Sequence, residues 1–92
     1  MSEPVVVDRP ERSRFEILVD DEVAGRAHYR LRDGVLAFTH TEVEDRFGGR
    51  GIGGALARGA LDAARSRGLR VRPDCPFVKG WIDKHPEYQD LL

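Results

Sequence analysis

The residues most suited to chemistry are the glycines of a turn at residues 48–54, just before the longest helical pattern in the chain. Backbone N–H groups at a helix start lack intrahelical partners and meet the positive end of the helix dipole, an arrangement that binds phosphates. Glycine lets a pyrophosphate approach the backbone closely, and arginines in and near the turn add positive charge. The sequence therefore predicts a phosphate-binding turn made of Gly48, Gly49, Arg50, Gly51, Ile52, Gly53 and Gly54.

A glycine-rich turn before a helix also occurs in other structural settings. Tight helix packing alone would also need glycines here. A P-loop would need a lysine followed by serine or threonine, and the turn has no lysine. The dinucleotide fingerprint G-x-G-x-x-G fits Gly49, Gly51 and Gly54, with Asp74 about 20 residues further on. That fold needs more parallel strands than the chain after Gly54 supplies, so a dinucleotide site is the weaker alternative.

Two titratable side chains lie in the strand pattern that precedes the turn. On a regular strand, His40 and Glu42 would share one face with Leu36 and Phe38. Either could act as a general base, and imidazole titrates closest to neutral pH. A hydrogen-bonded strand histidine and an exposed carboxylate are also common, so a purely structural role stays open for both.

The single cysteine, Cys75, precedes Pro76, and proline is typical of a first helical position. The start of a helix favours the nucleophilic thiolate, so Cys75 could accept an acyl group. An inert buried thiol is the alternative. One cysteine and three scattered histidines give no usual ligand spacing, so we predict no metal site. A single cysteine also excludes an intramolecular disulfide and fits a reducing compartment.

The elements that position these groups follow from hydrophobic periodicity. Alternation predicts an antiparallel meander with Asp33-Gly34 as a hairpin turn, followed by a β-turn-α-β unit whose two strands run parallel. The expected fold class is α/β (α+β), with the meander, the β-α-β unit and a C-terminal helix. Strands are expected over residues 14–19, 23–31, 35–43 and 69–73, and helices over residues 52–67 and 77–84.

Length and composition limit the organisation of the chain. With 92 residues, 40% of them hydrophobic, it is expected to form one domain over residues 14–92. Residues 1–13 are expected to be a flexible arm that can lend residues 5–7 to a sheet edge. Residues 1–45 carry a net charge of −5 and residues 46–92 carry +4, so the half with the glycine turn suits an anionic ligand.

Several classes of partner are disfavoured. A pI of about 6.3, with no aromatic-rich basic stretch, argues against nucleic acid. No apolar run approaches the roughly 18 residues of a membrane span. The N-terminus does not read as a signal peptide, so we expect a cytoplasmic protein with no membrane partner. Both a monomer and a homodimer are compatible with the sequence.

The turn also resembles the pyrophosphate loop of the GNAT acetyltransferases, whose pattern is arginine or glutamine, two variable residues, glycine, any residue, then glycine or alanine. Residues 48–53 match except that Gly48 replaces the leading arginine or glutamine, and residues 46–51 match fully. We prefer the first register because it places residues 51–56 where the family's helix begins. Residues 39–43, 72–78 and 85–88 resemble a small single-domain branch of the superfamily with a Cys-Pro-Phe segment.

This resemblance, which covers about residues 14–92, implies a site and an activity. The implied cofactor is acetyl-CoA or CoA, with its pantetheine and thioester against the backbone of Thr41, Glu42 and Val43. In the small branch the cysteine of the Cys-Pro-Phe segment is the suspected catalytic residue, which favours Cys75. The branch lacks two helices that normally help wall the acceptor site, so the acceptor side should be open.

We therefore expect an N-acetyltransferase that moves an acetyl group from a CoA thioester to an unknown amine, a protein or peptide included, with Cys75 as nucleophile or beside the thioester. A non-catalytic CoA-binding module is the alternative from another functional class. A dinucleotide-binding domain is the second alternative.

Overall fold

The computed structural model describes residues 3–48 and 51–92. The strands are β1 (Val5–Arg9), β2 (Arg14–Val19), β3 (Glu22–Arg32), β4 (Val35–Val43) and β5 (Arg70–Pro73); the α-helices are α1 (Ile52–Ser66) and α2 (Pro76–Lys84); 3₁₀ segments span Pro10–Arg12, Asp45–Phe47 and Pro86–Leu91. The strands form one sheet in the order β1-β2-β3-β4-β5, antiparallel from β1 to β4 and parallel between β4 and β5. The predicted α+β fold, a meander followed by a β-α-β unit and a C-terminal helix, is confirmed.

Helix α1 contacts all five strands, and half of its buried residues are alanines. Ala57, Ala60 and Ala64 are buried beside Leu56 and Leu61, which lets the helix axis lie close to the sheet. Val78 and Ile82 of α2 join the same core. We call the side of the sheet covered by α1 and α2 the helix face, and the opposite side the open face.

The N-terminal segment expected as a loose arm contributes the edge strand β1. It pairs antiparallel with β2 over five residues, from Val5↔Leu18 to Arg9↔Arg14. Val6 packs under α1, where a Cβ added to Gly59 would lie 2.6 Å from Val6 Cγ2. The small size of Gly59 therefore allows helix and edge strand to approach.

The hairpin between β3 and β4 turns at Asp33 and Gly34, as predicted. Both residues have positive φ, 53° and 78°, the left-handed conformation that the tight hairpin turn requires. The turn pairs Arg32 with Val35 and sets the register of the two strands.

A β-bulge in β4 corrects one prediction from the sequence. Tyr29 pairs with Phe38 but His28 pairs with His40, so Thr39 is an extra residue without its own partner in the ladder. The expected shared face of Leu36, Phe38, His40 and Glu42 is therefore wrong. Beyond the bulge, Thr41 and Val43 join Leu36 and Phe38 on the helix face, whereas His40 and Glu42 lie together on the open face.

The open face is polar but ordered by ion pairs. Glu16 is buried there, with Arg9 Nε 3.2 Å from Oε1 and Arg14 Nε 2.8 Å from Oε2. Burial alone would raise the pKa of Glu16, but the hydrogen bonds from Arg14 and Arg9 outweigh it and hold that pKa below its usual value. The open face therefore carries charged side chains held in ion pairs and is not an apolar surface.

Candidate functional site

The start of α1 combines the features of an anion site. Gly51 is the N-cap residue with φ 70° and ψ 17°, and it provides no side-chain cap for the helix. The 3₁₀ segment Asp45–Phe47 leads into it, and Phe47 anchors that segment in the core. Among the described residues, no side chain bonds the first N–H groups of this 15-residue helix, so they remain available to a phosphate. Two predicted members of the turn, Gly49 and Arg50, lie outside the described residues.

Gly53 and Gly54 lie against helix α2. A Cβ at Gly53 would lie 2.8 Å from Phe77 Cζ, and one at Gly54 would lie 3.4 Å from Trp81 Nε1. Both aromatic residues belong to α2, which crosses the first turn of α1. Tight packing, one of the alternatives left open by the sequence, therefore accounts for Gly53 without a ligand, whereas a Cβ at Gly54 would make an ordinary van der Waals contact.

Strand β4 continues beyond its pairing with β5. The two strands pair from Val35↔Arg70 to Phe38↔Pro73, and the Cys75 N–H then donates to the Phe38 carbonyl at 2.8 Å. Residues 39–43 have no β5 partner in the described chain. This open edge contains Thr41, Glu42 and Val43, the residues implied by the resemblance to hold a thioester arm.

Cys75 faces this edge from the start of α2. It is the N-cap residue, followed by Pro76, and the Lys79 N–H donates to its carbonyl at 3.0 Å. Its Sγ lies 3.3 Å from Thr41 Oγ1, and either group can donate the hydrogen bond. Cys75 is only 4% exposed, so the thiol is a buried group whose polar neighbour is a strand hydroxyl.

A narrow apolar cleft lies on the helix face. It runs between the sheet and the two helices, with Phe38 and Thr41 on one side and Phe77 on the other. Phe77 itself is 43% exposed although it is a large apolar residue. The cleft has no room for a water molecule, and its remaining lining residues are Ala27, Leu56, Ala57, Ala60, Leu61 and Val78. Phe77 lies against both this cleft and Gly53 in the first turn of α1.

His40 and Glu42 form a separate cluster on the open face, together with His28. The Nε2–H of His28 donates to Glu42 Oε1 at 3.0 Å, since an ionised carboxylate can only accept. The rings of His28 and His40 stack with centroids 6.0 Å apart. The hydrogen bond from His28, with the nearby imidazole of His40, holds the pKa of Glu42 below its usual value. Glu42 therefore stays ionised and orients its neighbour.

The predicted chemical residues thus fall on two sides of one strand. Thr41 meets Cys75 on the helix face, whereas His40 and Glu42 lie on the open face. They are consecutive in the chain, so both groups border the same open edge of β4. The sequence analysis did not assign His28 to the site. Its position on β3, opposite the end of β4, could have indicated it.

The fold does not support the dinucleotide alternative. Its sheet contains a single parallel pair, β4–β5, among the described residues, rather than the several parallel strands of a dinucleotide-binding domain. Asp74, the acid at the fingerprint distance, is held by Arg72 with Nε 3.0 Å and Nη2 2.9 Å from Asp74 Oδ2.

Neither a metal cluster nor a membrane-crossing helix occurs in the described parts of the chain. Within residues 3–48 and 51–92, no group of three or more histidine, cysteine or acidic side chains is placed to hold a metal ion. Neither α1 nor α2 has the length and apolar composition needed to cross a membrane.

The chain is similar in sequence to known proteins. A family model described as GCN5-related N-acetyl-transferase matches residues 14–91. Protein NATD1 of Bos taurus is 35% identical over 57 residues, which is 62% of this chain and 50% of that protein. NATD1 of Homo sapiens is 33% identical over a match of the same length, again 62% of this chain and 50% of the relative. The chain spans about half the length of the curated relatives it matches.

A solved structure shares the whole fold. The solution NMR structure of a GCN5-like protein from Staphylococcus aureus superposes with a TM-score of 0.73 at 28% sequence identity. The match covers 99% of this chain and 89% of that chain. It therefore includes β1 as well as the region from residue 14 onward.

Proposed function

This chain belongs to the GCN5-related N-acetyltransferase family, and on that premise we propose that it binds acetyl-CoA and transfers the acetyl group to an amine acceptor. The observation that carries the proposal is the open edge of β4 beyond Phe38, which contains Thr41 in contact with Cys75. Phe77 lines the cleft beside Thr41 and also lies against Gly53 at the start of α1. The start of α1, Phe77 and the Thr41–Cys75 pair thus mark a path from an anion site to a thiol. That combination suits a ligand with a pyrophosphate at one end and a thioester at the other.

The residues present fit CoA at both ends of this path. At one end, Gly51 leaves the first turn of α1 without a side-chain cap, which suits a pyrophosphate. We also assign to the pyrophosphate site the other residues of this turn, Gly48, Gly49, Arg50, Ile52, Gly53 and Gly54. At the other end, the unpaired edge backbone at Thr41, Glu42 and Val43 can bond the amides of a pantetheine arm, beside the exposed ring of Phe77. Bound there, acetyl-CoA would supply an activated acetyl thioester.

On the helix face, Cys75 has two possible roles that differ in the atoms bonded. As a nucleophile, its sulfur forms a bond to the acetyl carbonyl carbon, the bond from that carbon to the CoA sulfur breaks, and the Cys75 proton ends on the departing thiol. As a neighbour, Cys75 only donates a hydrogen bond. In the nucleophile role, the Thr41 hydroxyl can relay the proton by accepting it from Cys75 while passing its own to the departing thiolate, since Oγ1 lies 3.3 Å from Sγ.

On the open face, His40 and Glu42 are suited to remove the proton of the incoming ammonium group. An amine attacks only as the free base, and imidazole is the side chain best matched to that task near neutral pH. Glu42 and His28 orient each other through their hydrogen bond, and His28 stacks on His40. We assign His40 the general-base role and Glu42 an electrostatic one.

The test combines calorimetry with intact mass. Titration with acetyl-CoA should give saturable heat, and titration with NAD should give none. Incubation with acetyl-CoA should add one acetyl group to wild-type protein, and the Cys75→Ala variant should lose that mass while keeping its affinity for acetyl-CoA. His40→Gln should keep both binding and the acetyl mass but transfer more slowly to amines.

Opposite results separate the alternatives. Absence of heat with millimolar acetyl-CoA would refute the proposed function. Acetyl transfer to an amine that survives Cys75→Ala would assign Cys75 the neighbouring role and leave the function intact.

A CoA-binding module without transfer activity is the second candidate, and the burial of Cys75 favours it. At 4% exposure the thiol is less accessible than reactive cysteines usually are. This candidate predicts binding of acetyl-CoA and free CoA with similar affinity, no acetyl mass on the protein and no acetylated amine. The same two measurements therefore distinguish it from the enzyme.

A further inference from the structure

A groove on the open face lies beside the His28–His40–Glu42 cluster. Its volume is about 430 Å³, and it is lined by Arg30, Arg32, Asp33, Val35, Ala37 and Arg72. Pockets that bind small molecules have volumes of roughly 300–1,000 Å³, so the groove suits a small ligand. Neither the CoA path nor the catalytic assignments above use it.

Strand register explains how the groove forms. Ala37 of β4 lies opposite Arg30 of β3 and also opposite Arg72 of β5, so a small side chain is flanked by two long ones. Arg32 lies two residues from Arg30 and shares its face. The arginine side chains form the walls, and Ala37, which is 6% exposed, forms the floor.

The charges of the groove leave it short of counter-ions. Arg72 is held by Asp74, and Asp33 lines one end, so three arginines face two carboxylates. Arg30 and Arg32 form no ion pair or side-chain hydrogen bond with any residue in the described parts of the chain. Exposed arginines with no internal partner beside a concave surface are suited to bind an anion.

The groove and the cluster share one face of one strand. His28 and Arg30 are two residues apart on β3, which places their side chains roughly 7 Å apart along the strand. A molecule whose anionic group lies between the arginines could therefore place an amine at His40. Such a molecule would carry its amine and its anionic group several bonds apart.

We propose that this groove binds an anionic group of the acceptor, so that the acceptor is an amine that also carries a carboxylate or a phosphate. The inference rests on the proposed acetyl transfer and specifies its substrate class. The acceptor can bind the open face without a covering helix, because the arginines hold its anionic group by charge.

Two pairs of amines test the substrate class. 6-Aminohexanoate is compared with its uncharged amide, and 6-aminohexyl phosphate with 6-aminohexanol, in acetyl-CoA-dependent transfer assays. We expect kcat/KM to be about tenfold or more higher for the anionic member of at least one pair, as charged hydrogen bonds usually provide. The pair that shows the preference identifies carboxylate or phosphate as the recognised group.

Variants locate the effect. The Arg30→Gln/Arg32→Gln double variant should lose the preference for the anionic amine while keeping the kcat/KM for the neutral one. Lys84→Gln, which removes a positive charge at the end of α2, is the matched control and should keep the preference. NMR titration of the protein without CoA, using 6-aminohexanoate and 6-aminohexyl phosphate, should shift the amide signals of Arg30, Ala37 and Arg72.

Contrary outcomes are distinct for the two proposals. If acetyl-CoA binds but neither amine pair shows an anionic preference and neither ligand shifts those signals, the groove assignment is wrong and acetyl transfer stands. If the double variant instead weakens acetyl-CoA binding, the groove serves the CoA phosphates and the acceptor assignment is overturned. If acetyl-CoA does not bind wild-type protein at all, the proposed function itself fails.

Discussion

Thr41 Oγ1 lies 3.3 Å from Cys75 Sγ across the point where β4 continues and β5 has ended. One residue comes from strand β4 and the other from the N-cap position of helix α2, 34 residues later in the chain. The contact depends on two local features: the bulge at Thr39, which turns Thr41 toward the helix face, and the Cys75 N–H bond to Phe38, which fixes the start of α2.

Replacing the hydroxyl of Thr41 tests whether this pair participates in chemistry. Thr41→Val keeps the shape of the side chain but leaves Sγ without its hydrogen-bond partner. We expect the rate at which Cys75 gains acetyl mass to fall about tenfold or more, since a positioned proton-transfer group contributes at least that much. Calorimetry should show unchanged affinity for acetyl-CoA. Ser66→Ala, which removes an exposed hydroxyl from the last residue of α1, is the control and should acetylate at the wild-type rate.

The hydrogen bond between His28 and Glu42 should make stability depend on pH in the acid range. Because the folded-state pKa of Glu42 lies below the ordinary value of 4.5, the pair stabilises the fold above that pH and its contribution is lost as pH falls through the lowered pKa. Urea unfolding of wild type and Glu42→Gln should therefore differ at neutral pH and converge in acid. A difference of the same size at both pH values would contradict the pairing.

Gly53→Ala separates packing from ligand binding at the first turn of α1. The added methyl would lie 2.8 Å from Phe77 Cζ, the far end of a side chain that is 43% exposed and can shift. After the roughly 0.5–1 kcal/mol that alanine gains over glycine in a helix, we expect a net loss of at most about 1 kcal/mol in the free energy of unfolding. Combining it with Phe77→Ala should remove the clash, and the double variant should be no less stable than Phe77→Ala alone. Additive losses in the double variant would show that Phe77 is not the obstacle.

Gly80→Ala is the matched control for that experiment. Gly80 lies within α2 with nothing within 4 Å of an added Cβ. A glycine in a helix interior destabilises by roughly 0.5–1 kcal/mol relative to alanine, so this substitution should stabilise the protein.

If Gly53→Ala with Phe77→Ala is stable but no longer binds acetyl-CoA, Gly53 is needed for close ligand approach as well as for packing.

The two tyrosines should titrate late in alkaline solution. Burial, followed by the hydrogen bond that Tyr29 donates to Asp8 at 2.6 Å, raises the pKa of Tyr29 to about 12. A raised pKa means that its stabilising contribution is complete below pH 10 and is lost as pH rises through about 12. Tyrosinate absorbance should therefore show no ionisation near pH 10 in folded protein, and Tyr29→Phe should remove the step near 12. Ionisation of Tyr29 at the ordinary value would contradict the Asp8 contact.

Much of the fold was predictable because its signals are local. The alternation of Phe15, Ile17 and Val19, the Asp33-Gly34 turn and the small-residue side of α1 each determine their element through nearest neighbours. The place of Cys75 at a helix start was predictable for the same reason, since Pro76 follows it directly.

The arrangement around the site was less predictable because it depends on one irregularity. Counting outward from the Arg32↔Val35 pair at the hairpin would oppose His28 to Thr39, but the bulge shifts the partner to His40. Regular alternation therefore assigned His40 to the helix face. The assumption of regular alternation also gave no sign that His28, Glu42 and His40 lie together, because they do so only in the shifted register.

The bulge at Thr39 has a consequence for how such a site can arise and be lost. Because strand side chains alternate with a period of two, removing Thr39 would reverse every later residue of β4: Thr41 would turn toward solvent, and His40 and Glu42 would enter the core. No single substitution reproduces that exchange. Which residues of β4 face the helices therefore depends on one inserted residue. In homologous domains, a one-residue change in length between Phe38 and Thr41 should indicate loss of the Thr41–Cys75 contact more reliably than any change of residue type.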